Sequence, residues 1–153
     1  EDTQKGKYMT FQSGDESYAI PIHFVNEIIG LQKITEVPET ANYIKGLINL
    51  RGKIIPVIDV RLRFGKEPLE YNDRTCVIVI TVNKVVVGLI VDTIADVVNI
   101  AEENIVPPPH MVNNNGAQRF VYGIGKIGDE VKLLIDPANL ISDEEQELLE
   151  SLH

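Results

Sequence analysis

The sequence has few of the residues that build catalytic and metal centres. Its 153 residues include one cysteine, Cys76, which excludes a disulfide within the chain. The three histidines, His23, His110 and His153, do not stand at metal-ligand spacing from one another, from the cysteine or from a carboxylate. Neither the G-x-S-x-G pattern of serine hydrolases nor the G-K-[ST] of a phosphate-binding loop occurs. We therefore expect no catalytic residues, no metal site and no cofactor.

One glycine-rich stretch matches a cofactor-binding pattern, but its context does not. Residues 123–128 fit the G-x-G-x-x-G of dinucleotide-binding folds. That mechanism requires a helix after the glycines, so that backbone amides face a pyrophosphate. Residues 131–135, which follow, are apolar and typical of a strand instead. We interpret these glycines as turn and barrel-packing residues.

Charge and hydrophobicity exclude two classes of partner. The formal net charge is −9 at pH 7, whereas nucleic-acid binding needs a basic face. The longest uninterrupted apolar run, residues 85–91, is far shorter than the roughly 20 residues that span a bilayer. We expect no nucleic-acid partner, no direct membrane insertion and a cytoplasmic location.

The basic residues are nevertheless concentrated in one stretch, residues 45–66. Asp59 is the only acidic residue there. The stretch is either a solvated basic face or a docking surface for an acidic partner, because complementary charge orients an encounter. Its basic residues are Lys45, Arg51, Lys53, Arg61, Arg63 and Lys66.

The chain contains two similar copies of one unit, each nearly half of the sequence. In the first part of each copy, matching residues are a constant number of positions apart, the same number that separates Val25 from Ile94. We call this number the first offset. In the later part of each copy the number is larger, equal to that between Tyr43 and Phe120, and we call it the second offset. Two copies are too few for a solenoid, so we expect two similar small barrels or sheets packed together.

The two copies differ at one turn. Arg51-Gly52 of the first copy falls opposite Gly128-Asp129 of the second. Folding alone does not require a long charged side chain at a turn where the other copy has glycine. Arg51 is therefore the first candidate for a functional residue.

The secondary structure is predicted to be mostly strand. Residues 76–82 and 85–91 are almost wholly apolar, which predicts two central strands covered on both faces and joined by a hairpin at Asn83-Lys84. Helix is predicted only at residues 60–64 and, after a capping box, at residues 142–152.

Two prolines interrupt strand patterns of the first copy. Proline cannot donate a hydrogen bond to a neighbouring strand. Pro21 and Pro56 therefore predict sheet edges or bulges.

A series of short motifs runs along the chain. The motifs are Tyr18-Ala19-Ile20-Pro21-Ile22, Val25-x-Glu27-Ile28, Val37-Pro38, Tyr43-Ile44-Lys45-Gly46, Asn49-Leu50-Arg51-Gly52, Pro56-Val57-Ile58-Asp59-Val60-Arg61 and Val87-Gly88-Leu89-Ile90-Val91-Asp92. Together they resemble a known family, the CheW family of bacterial chemotaxis coupling proteins. The resemblance runs over about residues 7 to 150.

The resemblance implies an all-β fold with a few short helices, made of two SH3-like five-stranded β-barrel subdomains related by the internal repeat. On this basis residues 1–153 are one CheW-like domain. We place the first barrel at approximately residues 12–75, the second at approximately residues 76–140 and a C-terminal helix at residues 142–152.

The resemblance also implies an adaptor without enzymatic activity. Such a protein joins the cytoplasmic tips of methyl-accepting chemoreceptors to the regulatory domain of the chemotaxis histidine kinase, in membrane-associated receptor arrays. By position, the receptor-binding residues are Val25, Glu27, Ile28 and Arg51, with Val87 and Val97 across a groove. Lys45 and Thr75 resemble kinase-binding positions.

Alternatives remain for the residues and for the protein. The valines and Ile28 could be ordinary core residues, and Arg51 could be a solvated charge or part of an intramolecular ion pair. The chain could be a CheW-like domain of a larger chemotaxis protein, such as a receiver-fused coupling protein or a kinase regulatory module. A small-ligand-binding β-barrel is an alternative from another class.

Overall fold

The structure, a computed structural model, describes residues 6–38, 41–108 and 120–141. The predicted C-terminal helix lies outside these residues. The strands are β1 (Lys7–Ser13), β2 (Glu16–Pro21), β3 (Val25–Gly30), β4 (Ile44–Leu50), β5 (Lys53–Asp59), β6 (Cys76–Val82), β7 (Val85–Val91), β8 (Thr93–Asn99), β9 (Ile105–Val106), β10 (Val121–Ile127) and β11 (Glu130–Ile135). Helix α1 is Val60–Arg63, and 3-10 turns lie at Ile22–Phe24, Glu102–Asn104 and Pro137–Leu140.

The strands form two sheets, which confirms the predicted all-β fold of two subdomains. One sheet has six strands in the order β8-β1-β2-β11-β10-β9, and the other has five in the order β3-β6-β7-β5-β4. Most neighbouring strands are antiparallel, but β5 pairs with β7 and β11 pairs with β2 in parallel. Apart from the very short β9, each sheet therefore contains the same arrangement of strands.

The repeat is also present in the strand positions. Strands β1 and β6 have the same length, and their first residues are separated by the first offset of the repeat. Strands β4 and β10 also have the same length, and their first residues are separated by the second offset. The first copy therefore comprises β1 to β5, and the second comprises β6 to β11. Each copy begins with a hairpin, β1–β2 or β6–β7.

The two copies exchange these hairpins. The five-stranded sheet combines β3, β4 and β5 of the first copy with the hairpin β6–β7 of the second. The six-stranded sheet combines β8 to β11 of the second copy with the hairpin β1–β2 of the first. The predicted barrel boundaries, residues 12–75 and 76–140, therefore do not coincide with the sheets. A repeat in the sequence locates the copies but does not reveal which copy supplies a neighbouring strand.

The largest hydrophobic cluster lies between the sheets and takes residues from both. Phe11 and Tyr18 of the six-stranded sheet join Ile78 and Leu89 of the five-stranded sheet, and all four are buried. Two smaller clusters cover the other faces of the sheets, and one of them contains Val77. Strand β6 is thus buried on both faces, as its sequence predicts.

Local sequence signals place the turns and the helix correctly. Asn83 and Lys84 both have positive φ, 50° and 70°, in the two-residue hairpin between β6 and β7. Asp59 caps α1, because its Oδ1 accepts a hydrogen bond from the Leu62 N–H at 3.3 Å. The predicted helix at residues 60–64 is confirmed.

The prediction that the two prolines mark edges or bulges is wrong. Pro56 lies in β5, an interior strand, opposite Leu47. Leu47 directs both its N–H and its C=O to Thr35, away from Pro56. The hydrogen-bonded ladder between β5 and β7 begins only at Val57. Pro56 therefore lies where neither neighbouring strand requires a backbone N–H donor from it. Pro21 is likewise tolerated at the end of the interior strand β2.

Packing between β7 and its neighbours depends on a glycine. A Cβ at Gly88 would lie 2.7 Å from Cγ1 of Val77 and 2.9 Å from Cγ1 of Val57. We expect Gly88→Ala to lower the free energy of unfolding by about 1–3 kcal/mol, as overpacked cores do. Gly30→Ala is the matched control, because nothing lies within 4 Å of its Cβ. Equal urea midpoints for the two variants would contradict this account of the packing.

The hairpin exchange predicts that neither copy folds alone. Cleavage between Pro68 and Leu69, in the segment between α1 and β6, separates each hairpin from the strands with which it pairs. We expect fragments 1–68 and 69–153 each to lack a cooperative thermal transition, and an equimolar mixture to recover one. Circular dichroism measures this. A native-like transition of either fragment alone would refute the prediction.

Candidate functional site

Arg51 stands at the tip of the two-residue turn between β4 and β5. Arg51 has φ 53° and Gly52 has φ 87°, and the Gly52 N–H donates a hydrogen bond of 2.8 Å to Oδ1 of Asn49. Positive φ is uncommon for residues other than glycine. The equivalent turn of the second copy has Gly128 at φ 58°. The first residue of each turn thus has positive φ, a conformation that favours glycine rather than arginine, so the backbone does not explain the choice of arginine.

The Arg51 side chain reaches strand β3 at the opposite edge of its sheet. Its Nη2 donates to Oε2 of Glu27 at 2.5 Å, and the two side chains are 68% and 36% exposed. The hydrogen bond to Glu27 raises the pKa of Arg51 above its ordinary value, and the negative charge of Glu27 adds a smaller effect in the same direction. A guanidinium has five N–H donors, so Arg51 can bind Glu27 and a partner molecule together.

Val25 and Ile28 lie on the same face of β3 because the strand is irregular between them. A register shift between Val25 and Glu27 makes Val25 pair with Ile80 and Ile28 pair with Ile78. Val25 packs against the central cluster, whereas Ile28 is 40% exposed. Ile28 is therefore an exposed apolar residue of the edge strand, adjacent in sequence to Glu27 but with its side chain on the other face of β3.

Val97 occupies the equivalent place on the six-stranded sheet. It lies on the edge strand β8, pairs with Met9 and is 50% exposed. Ile28 and Val97 are separated by the first offset of the repeat, so they are matching residues of the two copies. Each sheet thus presents one exposed apolar residue at the same position of its edge strand.

Val87 differs from the other predicted receptor-binding residues. It is fully buried on β7, in the central cluster, and pairs with Ile80. A side chain without exposed surface has nothing to offer a partner in this conformation. Strand β7 is apolar at almost every position, so its sequence does not distinguish a core valine from a surface valine.

The two predicted kinase-binding residues have different environments. Lys45 is half-buried on β4 and lines an open pocket with Glu36 and Asn42. Thr75 is buried, and its Oγ1 accepts a hydrogen bond of 2.9 Å from the Asn72 N–H. Thr75 therefore closes the turn that precedes β6, and its hydroxyl already has a partner.

The basic stretch at residues 45–66 is mainly engaged within the chain. Arg51, Arg61 and Lys66 form ion pairs, and Arg63 donates to the Leu140 C=O at 2.6 Å. In the described part of the chain, Lys45 and Lys53 have no such partner. The sequence suggested a solvated face or a docking surface, but most of these charges bind other residues of the same molecule.

Two residues beside the Arg51 turn were not predicted from the sequence to belong to the site. Asn49 holds the turn, as described above; an asparagine shortly before a glycine in a hairpin is a signal for such a bond. Ile54, which pairs with Asn49 across the hairpin, is 43% exposed. Its exposure could not be read from the sequence, because another isoleucine follows it directly in the same strand.

The described residues hold no group of three His, Cys, Asp or Glu side chains that could bind a metal ion. In residues 6–38, 41–108 and 120–141, no helix is long and apolar enough to cross a membrane.

Comparison with known proteins identifies the family. The family model described as CheW-like domain matches residues 7–145. The chemotaxis protein CheW of Klebsiella aerogenes is 35% identical over 151 residues, which are 99% of this chain and 90% of that protein. The chemotaxis protein CheW of Bacillus subtilis is 36% identical over 139 residues, which are 91% of this chain and 88% of that protein.

A solved structure supports the same assignment. The crystal structure of the scaffolding protein TtCheW from Thermoanaerobacter tengcongensis has a TM-score of 0.84 and 37% sequence identity with this chain. The similarity covers 94% of this chain and 97% of that one. Because the family model and these relatives cover nearly the whole chain, the chain belongs to the CheW-like family of chemotaxis scaffold proteins.

Proposed function

We propose that the protein couples the cytoplasmic tips of transmembrane chemoreceptors to the regulatory domain of the chemotaxis histidine kinase. The chain belongs to a family of scaffolds rather than enzymes, so its activity is to bind partners. The observation that carries the proposal is Arg51, a charged and exposed side chain held by Glu27 on the edge strand β3, which also carries the exposed Ile28.

The Arg51 surface suits a helical partner. Receptor tips are helical hairpins, and such helices dock through apolar anchors into grooves. Ile28 offers apolar contact, and the remaining donors of Arg51 offer charge-assisted hydrogen bonds. We assign Val25, Glu27, Ile28 and Arg51 to the receptor, together with Val97 on the equivalent strand. Val87 is left out because it is buried.

The kinase contact is assigned to the neighbourhood of Lys45. This half-buried lysine has no ion-pair partner among the described residues and lines an open pocket on the outer side of β4. Thr75 contributes only through the turn at residues 72–75, since its hydroxyl is buried and bonded. The receptor and kinase surfaces then involve different strands, so the protein can bind both partners at the same time.

Individual contacts of this kind are modest. A standard interface covers roughly 800 Å² on each partner, and linked weak contacts produce strong assembly through effective concentration. We therefore place the protein in the cytoplasm, recruited to membrane-associated receptor arrays by its partners.

Replacing Arg51 tests the receptor assignment. We expect Arg51→Ala to weaken receptor binding about tenfold, because truncation of an interface arginine is among the more damaging substitutions. The thermal midpoint should change little, because exposed ion pairs contribute little to stability. Alanine would have to adopt a positive φ, but Arg51 already has that backbone conformation, so the substitution adds little strain. Co-sedimentation with receptor-containing membranes measures the binding.

Lys84→Ala is the matched control for this measurement. Lys84 is also an exposed cation with positive φ in a two-residue turn of the five-stranded sheet. We expect its receptor binding to equal that of the unchanged protein. If Arg51→Ala binds receptor as well as Lys84→Ala does, Arg51 does not belong to the receptor surface.

Coupling itself is tested by kinase autophosphorylation in a mixture of receptor-containing membranes and kinase. We expect adding the protein to change the autophosphorylation rate in a receptor-dependent way, and Arg51→Ala to reduce that change. An identical rate with and without the protein would overturn the proposed function.

A further inference from the structure

The segment that follows β5 reaches from the five-stranded sheet to the six-stranded sheet. Nη1 of Arg61 lies 2.8 Å from Oδ2 of Asp92, which also accepts a hydrogen bond of 2.9 Å from the Gly14 N–H. Gly14 belongs to the turn of the exchanged hairpin β1–β2. Arg61 and Asp92 therefore fasten that hairpin to the end of β5 and α1.

Lys66 makes a second connection to the same hairpin. Its Nζ donates to the Ser13 C=O at 2.6 Å and lies 2.9 Å from Oε1 of Glu16. Ser13 ends β1 and Glu16 begins β2. Both ends of the turn are thus bound by one side chain from the segment that follows α1.

Arg63 makes a third connection, where the two copies meet. Its guanidinium carbon is 4.4 Å from the ring centroid of Tyr43 and 4.7 Å from that of Phe120. These rings occupy equivalent positions of the two copies, at the second offset of the repeat. The position equivalent to Arg63 is Leu140, whose C=O accepts the Arg63 hydrogen bond. The cation therefore comes from one copy only.

These polar contacts add directional constraints to the packing of the central apolar cluster. Apolar burial is non-directional, although the close packing of the cluster limits how the sheets can move. Hydrogen bonds and ion pairs require short distances and defined angles. The Arg61 and Asp92 side chains are only 17% and 19% exposed. Separating them costs free energy, because each partly buried charge would lose its partner.

We infer that the sheet-joining cluster of Arg61, Arg63, Lys66 and Asp92 fixes the angle between the two sheets, and that this fixed angle holds Val97 of the six-stranded sheet in the placement, relative to Ile28 and Arg51 of the five-stranded sheet, that a receptor requires. The second part rests on the proposed function, in which the receptor surface includes residues of both sheets. The first part concerns the isolated protein.

The first part is tested by the distance between spin labels on the two sheets. In a Cys76→Ser background, labels at Lys53→Cys and Asp129→Cys report on the five-stranded and six-stranded sheets. We expect Arg61→Gln with Lys66→Met to broaden the distance distribution about twofold, as in a hinge or shear motion. The control, Lys7→Met with Lys84→Gln, also removes two cations, and it should leave the distribution unchanged. An unchanged width in the cluster variant would overturn the inference.

The second part is tested by binding the same variants to receptor and kinase. We expect the cluster variant to bind receptor about tenfold more weakly than the unchanged protein does, because a surface that spans both sheets binds best when it is held in place beforehand. Kinase binding should stay within about twofold, because Lys45 lies on the five-stranded sheet alone. Unchanged receptor binding despite a broader distribution would overturn this part alone. Failure of the unchanged protein to bind either partner would count against the proposed function instead.

A third variant, which keeps the hydrogen bond from the Gly14 N–H, distinguishes loss of the Arg61 ion pair from misfolding. Asp92→Asn removes the charge that pairs with Arg61 and retains an oxygen for the Gly14 N–H. We expect it to broaden the distribution in the same direction with a single cooperative thermal transition. A narrow distribution in a folded Asp92→Asn protein would show that the Arg61 pair does not set the angle.

Discussion

Two parallel strand pairs, β5 with β7 and β11 with β2, join the halves of this molecule. Each pair brings together strands from different copies of the repeat, so neither sheet is complete without the other copy. The exchange also creates the central hydrophobic layer, because the hairpins β1–β2 and β6–β7 carry many of its side chains. Gly88 lies in one of these pairs, opposite Val57, and its missing side chain makes room for the neighbouring valines.

The candidate site depends on the same exchange. Strand β3 carries Glu27 and lies at the edge of its sheet, beside β6 from the second copy. Arg51 comes from the first copy, in a turn held by Asn49. The ion pair between Glu27 and Arg51 therefore forms on a sheet that both copies complete. The second copy has glycine with positive φ at the matching position, Gly128, instead of arginine, so a scaffold with two similar halves acquires one distinctive charged surface.

The basic residues of the first copy have two roles that composition cannot separate. Arg51 is exposed and keeps donors available for a partner, whereas Arg61, Arg63 and Lys66 bind distant residues of the same molecule. In the sequence these residues form one run of positive charge. A scaffold has no reacting atoms to position, so the relative placement of its binding surfaces is the property that internal contacts of this kind can control.

The sequence by itself determined strands such as β6 and β7, the two-residue turns and helix α1, because apolar runs, turn residues and a capping aspartate act over a few neighbouring residues. The motifs also identified the family. Only the tertiary structure decided which copy completes each sheet, why Pro56 is tolerated in an interior strand, and that Val87 is buried while Ile28 is exposed. Those outcomes depend on strand pairing between residues far apart in the chain, and an apolar side chain carries no local mark of the face that will be covered.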